Sequence, residues 1–155
     1  MERRAQANRE ARPRTARGPA ATGLRGTRLL RARTALFAAV EASVLADARA
    51  RRRRGELRGP PYRTSACFAY PKSLDRRPPA RDLAVRVARL ECLAVTSVVA
   101  KDERTTGSLI GQPYRARVDF ATGRYAWCKI VQRPGELAVG RPPPVRVPPQ
   151  CGGTR

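Results

Sequence analysis

The stretch that decides the fold is Tyr114–Val131, YRARVDFATGRYAWCKIV. Two β-prone runs, Tyr114–Phe120 and Arg124–Val131, flank Ala121-Thr122-Gly123. A three-residue loop ending in glycine suits a type I turn closed by a left-handed residue, so a β-hairpin is expected here. With that loop Phe120 faces Arg124, and the pairs 118–126, 116–128 and 114–130 follow. Tyr114, Ala116, Val118, Ala126, Cys128 and Ile130 then share an apolar face assigned to the core. The other face carries Arg115, Arg117, Asp119, Tyr125, Trp127 and Lys129, with Arg117 opposite Trp127. Bases stack on aromatic rings while cations hold phosphates, so Arg115, Arg117, Tyr125, Trp127 and Lys129 are the candidate polyanion-binding residues. The bland reading is that Arg117 covers Trp127 or that another element packs over both. A four-residue loop would slip the register by one and turn Trp127 into the core. Arg117-Val118-Asp119-Phe120 also matches a short phosphatase-docking pattern, which requires an extended and available segment.

Working outward, Ser65–Tyr70 reads as a short strand ending at Pro71, and Pro71–Pro79 as a loop. Cys92–Ala100 reads as a strand, with 81–91 leading in as a helical turn or a bulged strand. Lys101–Ser108 is a polar loop, Arg133–Glu136 a turn, and 141–149 an extended, polyproline-like run. The expected fold class is mainly β (or α+β): a small antiparallel-sheet domain over 59–151 with a central hairpin.

Ahead of it lies an arginine-rich arm, residues 1–58. Residues 1–24 are polar and broken by Pro13, Gly18 and Pro19; they bury too little apolar area to offset the entropy of ordering, and are expected to be disordered. Residues 25–50 read in two ways. Basic residues, a short apolar stretch and Ala-x-Ala sites outline a secretory signal, although Glu41 interrupts the apolar run. Alternatively Leu29, Leu36, Val40, Val44 and Ala48 fall at helical spacing, giving an amphipathic helix able to touch a membrane surface or a partner. The apolar run is too short to span a bilayer. Arg51, Arg52, Arg53 and Arg54 resemble a nuclear-import or RNA-binding tract, or else a solvated linker.

The 155 residues suffice for one ordinary domain, and 33 basic against 12 acidic residues give a net charge of +21. Three of the basic residues are lysines and 30 are arginines, in a chain also rich in Ala, Pro and Gly. G+C-rich codons write that bias, so part of the charge has a bland origin. The surface still attracts nucleic acid, acidic lipid headgroups and acidic polysaccharide. Histidine is absent, which removes Ser-His-Asp and Cys-His catalysis, HExxH metalloproteases and Cys2His2 fingers. The acids lie singly among arginines except Asp102-Glu103, and Gly107, Gly111 and Gly123 are isolated turn residues rather than a phosphate loop. No enzyme, cofactor or metal constellation is read.

Cys67, Cys92, Cys128 and Cys151 lack the CxxC knuckle of a zinc site or a thioredoxin-like centre. Two disulfides are the natural reading, with buried reduced thiols as the alternative. Of the three connectivities, Cys67–Cys92 with Cys128–Cys151 closes the shorter loops. The function itself is not legible. The first reading is a non-enzymatic binding domain, secreted or at the cell surface and stapled by two disulfides. The second is a nuclear or cytoplasmic nucleic-acid or polyanion binder. A third is a poorly selected or mis-started reading frame.

Overall fold

The computed structural model describes residues 11–71, 77–99, 108–130 and 147–153. The loop expected at 101–108, the turn at 133–136 and the run at 141–149 fall almost entirely outside the described residues. A short strand β1 (Arg14–Arg17) is followed by a 28-residue helix α1 (Gly26–Arg53). Strands β2 (Thr64–Ala69), β3 (Val87–Val99), β4 (Ser108–Asp119) and β5 (Arg124–Lys129) come next, and a 3₁₀ turn (Pro149–Cys151) follows. The strands form one five-stranded sheet in the order β1-β5-β4-β3-β2, antiparallel throughout. The mainly-β antiparallel expectation is met, with the hairpin β4–β5 inside the sheet.

The helix lies on one face of that sheet because its apolar stripe repeats every four residues. Leu36, Val40, Val44 and Ala48 are completely buried. They meet the inward residues of the strands: Ala88, Leu90, Cys92 and Ala94 of β3, Tyr114, Ala116 and Val118 of β4, and Tyr125 of β5. Burial of each valine or leucine contributes about 1.5–3 kcal/mol, so this seam is the main source of stability. Two expectations are corrected here. Residues 11–24, expected to lack order, contain β1, which pairs with β5 from Arg14↔Trp127 to Arg17↔Arg124. The division at residue 58 is not seen either, because α1 shares one core with the strands that follow it. Cleavage after Ala48 or Ala50, as a signal reading requires, would strip the sheet of its cover.

The helix ends at Arg53, which puts the Arg51–Arg54 run at its C-terminal end, and Gly55 explains the stop. Its φ is +75°, and the N–H groups of Gly55 and Glu56 donate to the carbonyls of Arg52 and Arg51. That is a Schellman cap, which favours glycine at the left-handed position. Arg51, Arg52 and Arg53 fill the last turn, where the helix dipole favours cations.

Arg33 is a charged residue inside this core. Its guanidinium donates to the carbonyls of Pro79, Ala80, Asp82 and Val85 at 2.6–3.0 Å. It also lies 3.8 Å from the ring centroid of Phe120. It thereby fixes the turns at 78–85, and β3 begins at Val87 rather than at 92. At the other end of the seam Tyr114 donates to Asp47 Oδ2 at 2.8 Å, and Arg51 Nε donates to the same oxygen at 2.7 Å. Burial and the Asp47 carboxylate push the Tyr114 hydroxyl far above the ordinary phenol range.

Both disulfides are present, Cys67–Cys92 and Cys128–Cys151. The first joins directly opposed residues of β2 and β3 on the helix-facing side. The second ties the 3₁₀ turn to β5 on the outer side. Their sequence separations of 25 and 23 residues correspond to about 3.5 kcal/mol each on loop-closure entropy.

A candidate anion-binding groove on the outer sheet face

The hairpin loop has four residues, Phe120–Gly123, and Asp119 is the cause. Its Oδ1 accepts the N–H groups of Ala121 and Thr122 at 2.9 and 3.2 Å, and its carbonyl accepts Gly123 N–H at 2.9 Å. Gly123 has φ +74° and stands so close to Gly18 that a Cβ would lie 2.4 Å from the Gly18 carbonyl oxygen. The register follows as Val118↔Tyr125, Arg117↔Ala126, Ala116↔Trp127, Arg115↔Cys128 and Tyr114↔Lys129. Every pair is displaced by one residue from the three-residue expectation.

That slip divides the expected polyanion surface. Tyr125, Trp127 and Lys129 belong to the helix-facing side, while Arg115 and Arg117 belong to the other. The Tyr125 hydroxyl shares a 2.7 Å hydrogen bond with Ser43 Oγ, and the Tyr125 and Trp127 rings lie 5.7 Å apart. Lys129 is buried. No stacking platform of Arg117 and Trp127 exists. The Arg117–Phe120 docking pattern is likewise closed, since Val118 and Phe120 are buried. The Arg51–Arg54 tract is the end of α1 rather than a free basic segment. Arg51 is buried against Asp47, Arg52 donates to the Gly59 carbonyl, and Arg54 binds Glu56 at 2.7 Å. The hydrogen bond from Arg54 is the main cause that holds the Glu56 carboxyl below its ordinary range.

The same slip assembles a different cluster. On the outer face Arg17 of β1 stands directly opposite Arg124 of β5, and Arg89 of β3 stands directly opposite Arg117 of β4. Like charges on directly opposed residues destabilise a sheet. Among the described residues none of these four arginines is in an ion pair. Arg17, Arg117 and Arg124 surround an open groove of about 780 Å³ with Thr15, Thr122 and Gln150 at its rim. Its one acid, Asp119, accepts the turn N–H groups through Oδ1, which also lies 3.7 Å from Arg86 Nε.

The C-terminal turn frames this groove. Cys151 is fully buried against Cys128 and Ala126, which brings the neighbouring Gln150 to the rim. Gly152, at φ +84°, rests on the stem of Arg89; a Cβ there would lie 3.0 Å from Arg89 Cγ and 3.3 Å from the Ala116 carbonyl oxygen. Arg115 takes no part, because it is buried with its guanidinium 3.2 Å from the Tyr70 ring centroid. The groove thus offers exposed guanidinium groups beside hydroxyl and amide groups, the chemistry that binds oxyanions.

Of the groove residues, Arg117 and Tyr125 were singled out in the sequence. Arg17 lay in a segment assigned to disorder, and Arg124 was read only as the start of the second hairpin strand. The signal that finds the register is Asp119 four residues ahead of Gly123, an acid placed to cap the turn. Among the described residues no three His, Cys, Asp or Glu side chains are grouped to hold a metal ion. No described helix is long and apolar enough to cross a membrane. No family model matches the chain, and no curated protein or solved structure is significantly similar to it.

Proposed function

We propose that this protein is a secreted or surface-exposed binding domain, stapled by two disulfides, that takes an anionic ligand in the groove formed by Arg17, Arg117 and Arg124. The observation that carries the reading is the pair of rungs on which arginine faces arginine with no acid between them. Such rungs work against the fold and are relieved when an anion sits over them. The two disulfides support an oxidising compartment, in which such bonds persist. The intracellular nucleic-acid reading loses its stacking surface, since Tyr125 and Trp127 turn toward α1.

The test couples stability to binding. Arg124→Thr removes one opposed charge and puts a β-favouring residue in its place. It is expected to raise stability by about 0.2–1 kcal/mol, while weakening salt-dependent binding of inorganic tripolyphosphate. A variant that binds as well as the parent refutes the groove.

A further inference from the structure

From this groove, and resting on the reading above, we infer that the ligand is an acidic polysaccharide whose sulfate or carboxylate groups lie in series across β1, β5 and β4. Those three strands are neighbours, and each contributes one arginine. Arg17 and Arg124 share a rung, so their backbones are separated by one strand spacing of about 4.8 Å. Arg117 is one strand further on and faces Ala126, two residues beyond Arg124 along β5, which is a step of about 7 Å. The backbone positions that carry the three arginines therefore span roughly 12 Å across the sheet. A chain with a charge on successive units matches such a span. The groove is also open, as a chain that continues past both ends requires.

Three further observations favour a saccharide chain over a nucleic acid. The groove presents no ring for a base to stack on: Tyr125, its one aromatic residue, directs its hydroxyl to Ser43 beneath the sheet. Stacking is a main source of single-strand affinity, and its absence leaves only the phosphates to bind. In place of rings the rim carries Thr15, Thr122 and Gln150, donors and acceptors suited to sugar hydroxyls. The disulfide Cys128–Cys151 that holds the Gln150 wall also suits an oxidising compartment, where acidic polysaccharide is met more readily than nucleic acid.

The experiment uses the whole oxidised chain and two triple variants of equal charge. One is Arg17→Gln, Arg117→Gln, Arg124→Gln in the groove; the other is Arg28→Gln, Arg31→Gln, Arg58→Gln at exposed positions elsewhere. The probes are a heparin hexasaccharide, a galacturonate hexamer, a thymidine hexanucleotide and inorganic tripolyphosphate, titrated at two salt concentrations. The expected result is that at least one saccharide binds tenfold or more tightly than the oligonucleotide and tripolyphosphate. The groove variant loses that preference, while the charge-matched variant loses less than threefold. The two saccharides separate sulfate from carboxylate as the recognised group. Equal binding of all four probes, or equal losses in the two variants, overturns the polysaccharide assignment; with equal probes but a groove-specific loss, the anion-binding reading survives. Failure of every probe overturns both. Melting temperatures of the variants establish that each is folded.

Discussion

Arg33 gives the sharpest test of how the core is closed. The side chain is buried and donates to four backbone carbonyls, those of Pro79, Ala80, Asp82 and Val85. Arg33→Met keeps a long unbranched side chain and removes every donor. Hydrogen bonds from a charged group contribute about 1.5–3 kcal/mol each, so the gross loss is about 6–12 kcal/mol. Two effects reduce it. Burial already disfavours the charged guanidinium, which lowers its pKa, and the variant no longer bears several kcal/mol of that cost. Three of the four bonds are also only partly buried, so water replaces some of what they lose. The expected net loss is about 3–4 kcal/mol, or a fall in Tm of roughly 6–16 °C for a chain of this size. Arg33→Lys should fall between the two, because three ammonium donors cannot serve four carbonyls or lie flat over Phe120. Thermal and urea unfolding measure the loss, and amide exchange at residues 79–86 locates it. A loss below about 1 kcal/mol, or a lysine variant equal to the parent, would refute the account of Arg33 as the clasp of these turns.

Trp127 fluorescence is expected to be unchanged by any anion bound in the groove, because the ring lies on the helix-facing side; a shift on titration would place the ligand elsewhere. Burial raises the Glu41 carboxyl pKa, only partly countered by the Cys67 N–H, so this group favours folding when protonated. Its contribution is present at acid pH and is lost as pH rises through the unfolded and then the folded pKa. Glu41→Gln, which keeps an acceptor for Cys67, should therefore stabilise at pH 7, with the gain vanishing near pH 4; equal effects at both would refute it. Replacing Cys128 and Cys151 by serine should cost about 3.5 kcal/mol in chemical denaturation and weaken anion binding by releasing the Gln150 wall. Gly111→Ala should unfold the chain or cost on the order of 3 kcal/mol, since a Cβ there would sit 1.8 Å from the Ala94 carbonyl oxygen, beside the register shift at Val95/Ser97.

Much of the architecture was legible because local signals agreed. The stripe Leu36, Val40, Val44 and Ala48 has helical period, the runs at 65–70 and 124–131 have strand chemistry, and four spread cysteines suggest two bridges. The register was not legible from loop length alone. Counting Ala121-Thr122-Gly123 as the loop neglected Asp119, whose carboxylate caps the turn and lengthens it by one residue. One residue in a period of two inverts every side chain. The N-terminal region failed for a different reason. A four-residue edge strand such as β1 carries almost no periodic signal, and its order comes from β5 and from the loop at 120–123, which lie more than a hundred residues away. Arg33 was illegible for the same cause: an arginine in an apolar stripe reads as surface until its four carbonyl partners are brought to it.

The arginine content makes one inference easy to mistake. Codon bias explains how many arginines the chain holds, and not where the fold puts them. The structure treats those of the helix side as ordinary buried or capping groups: Arg33 has its carbonyls, Arg49 donates to the Tyr62 carbonyl, Arg51 has Asp47, and Arg54 has Glu56. Exposed arginines on α1 can swing apart, so like charges there cost only a few tenths of a kcal/mol. A sheet rung gives less freedom, because opposed side chains rise from the same face at a fixed spacing. Here two rungs on one face carry the repulsive pairing, and a disulfide-held turn walls the groove beside them. Local conflict concentrated at one groove, within a fold otherwise consistent from propensity to packing, is what the proposed anion-binding reading rests on.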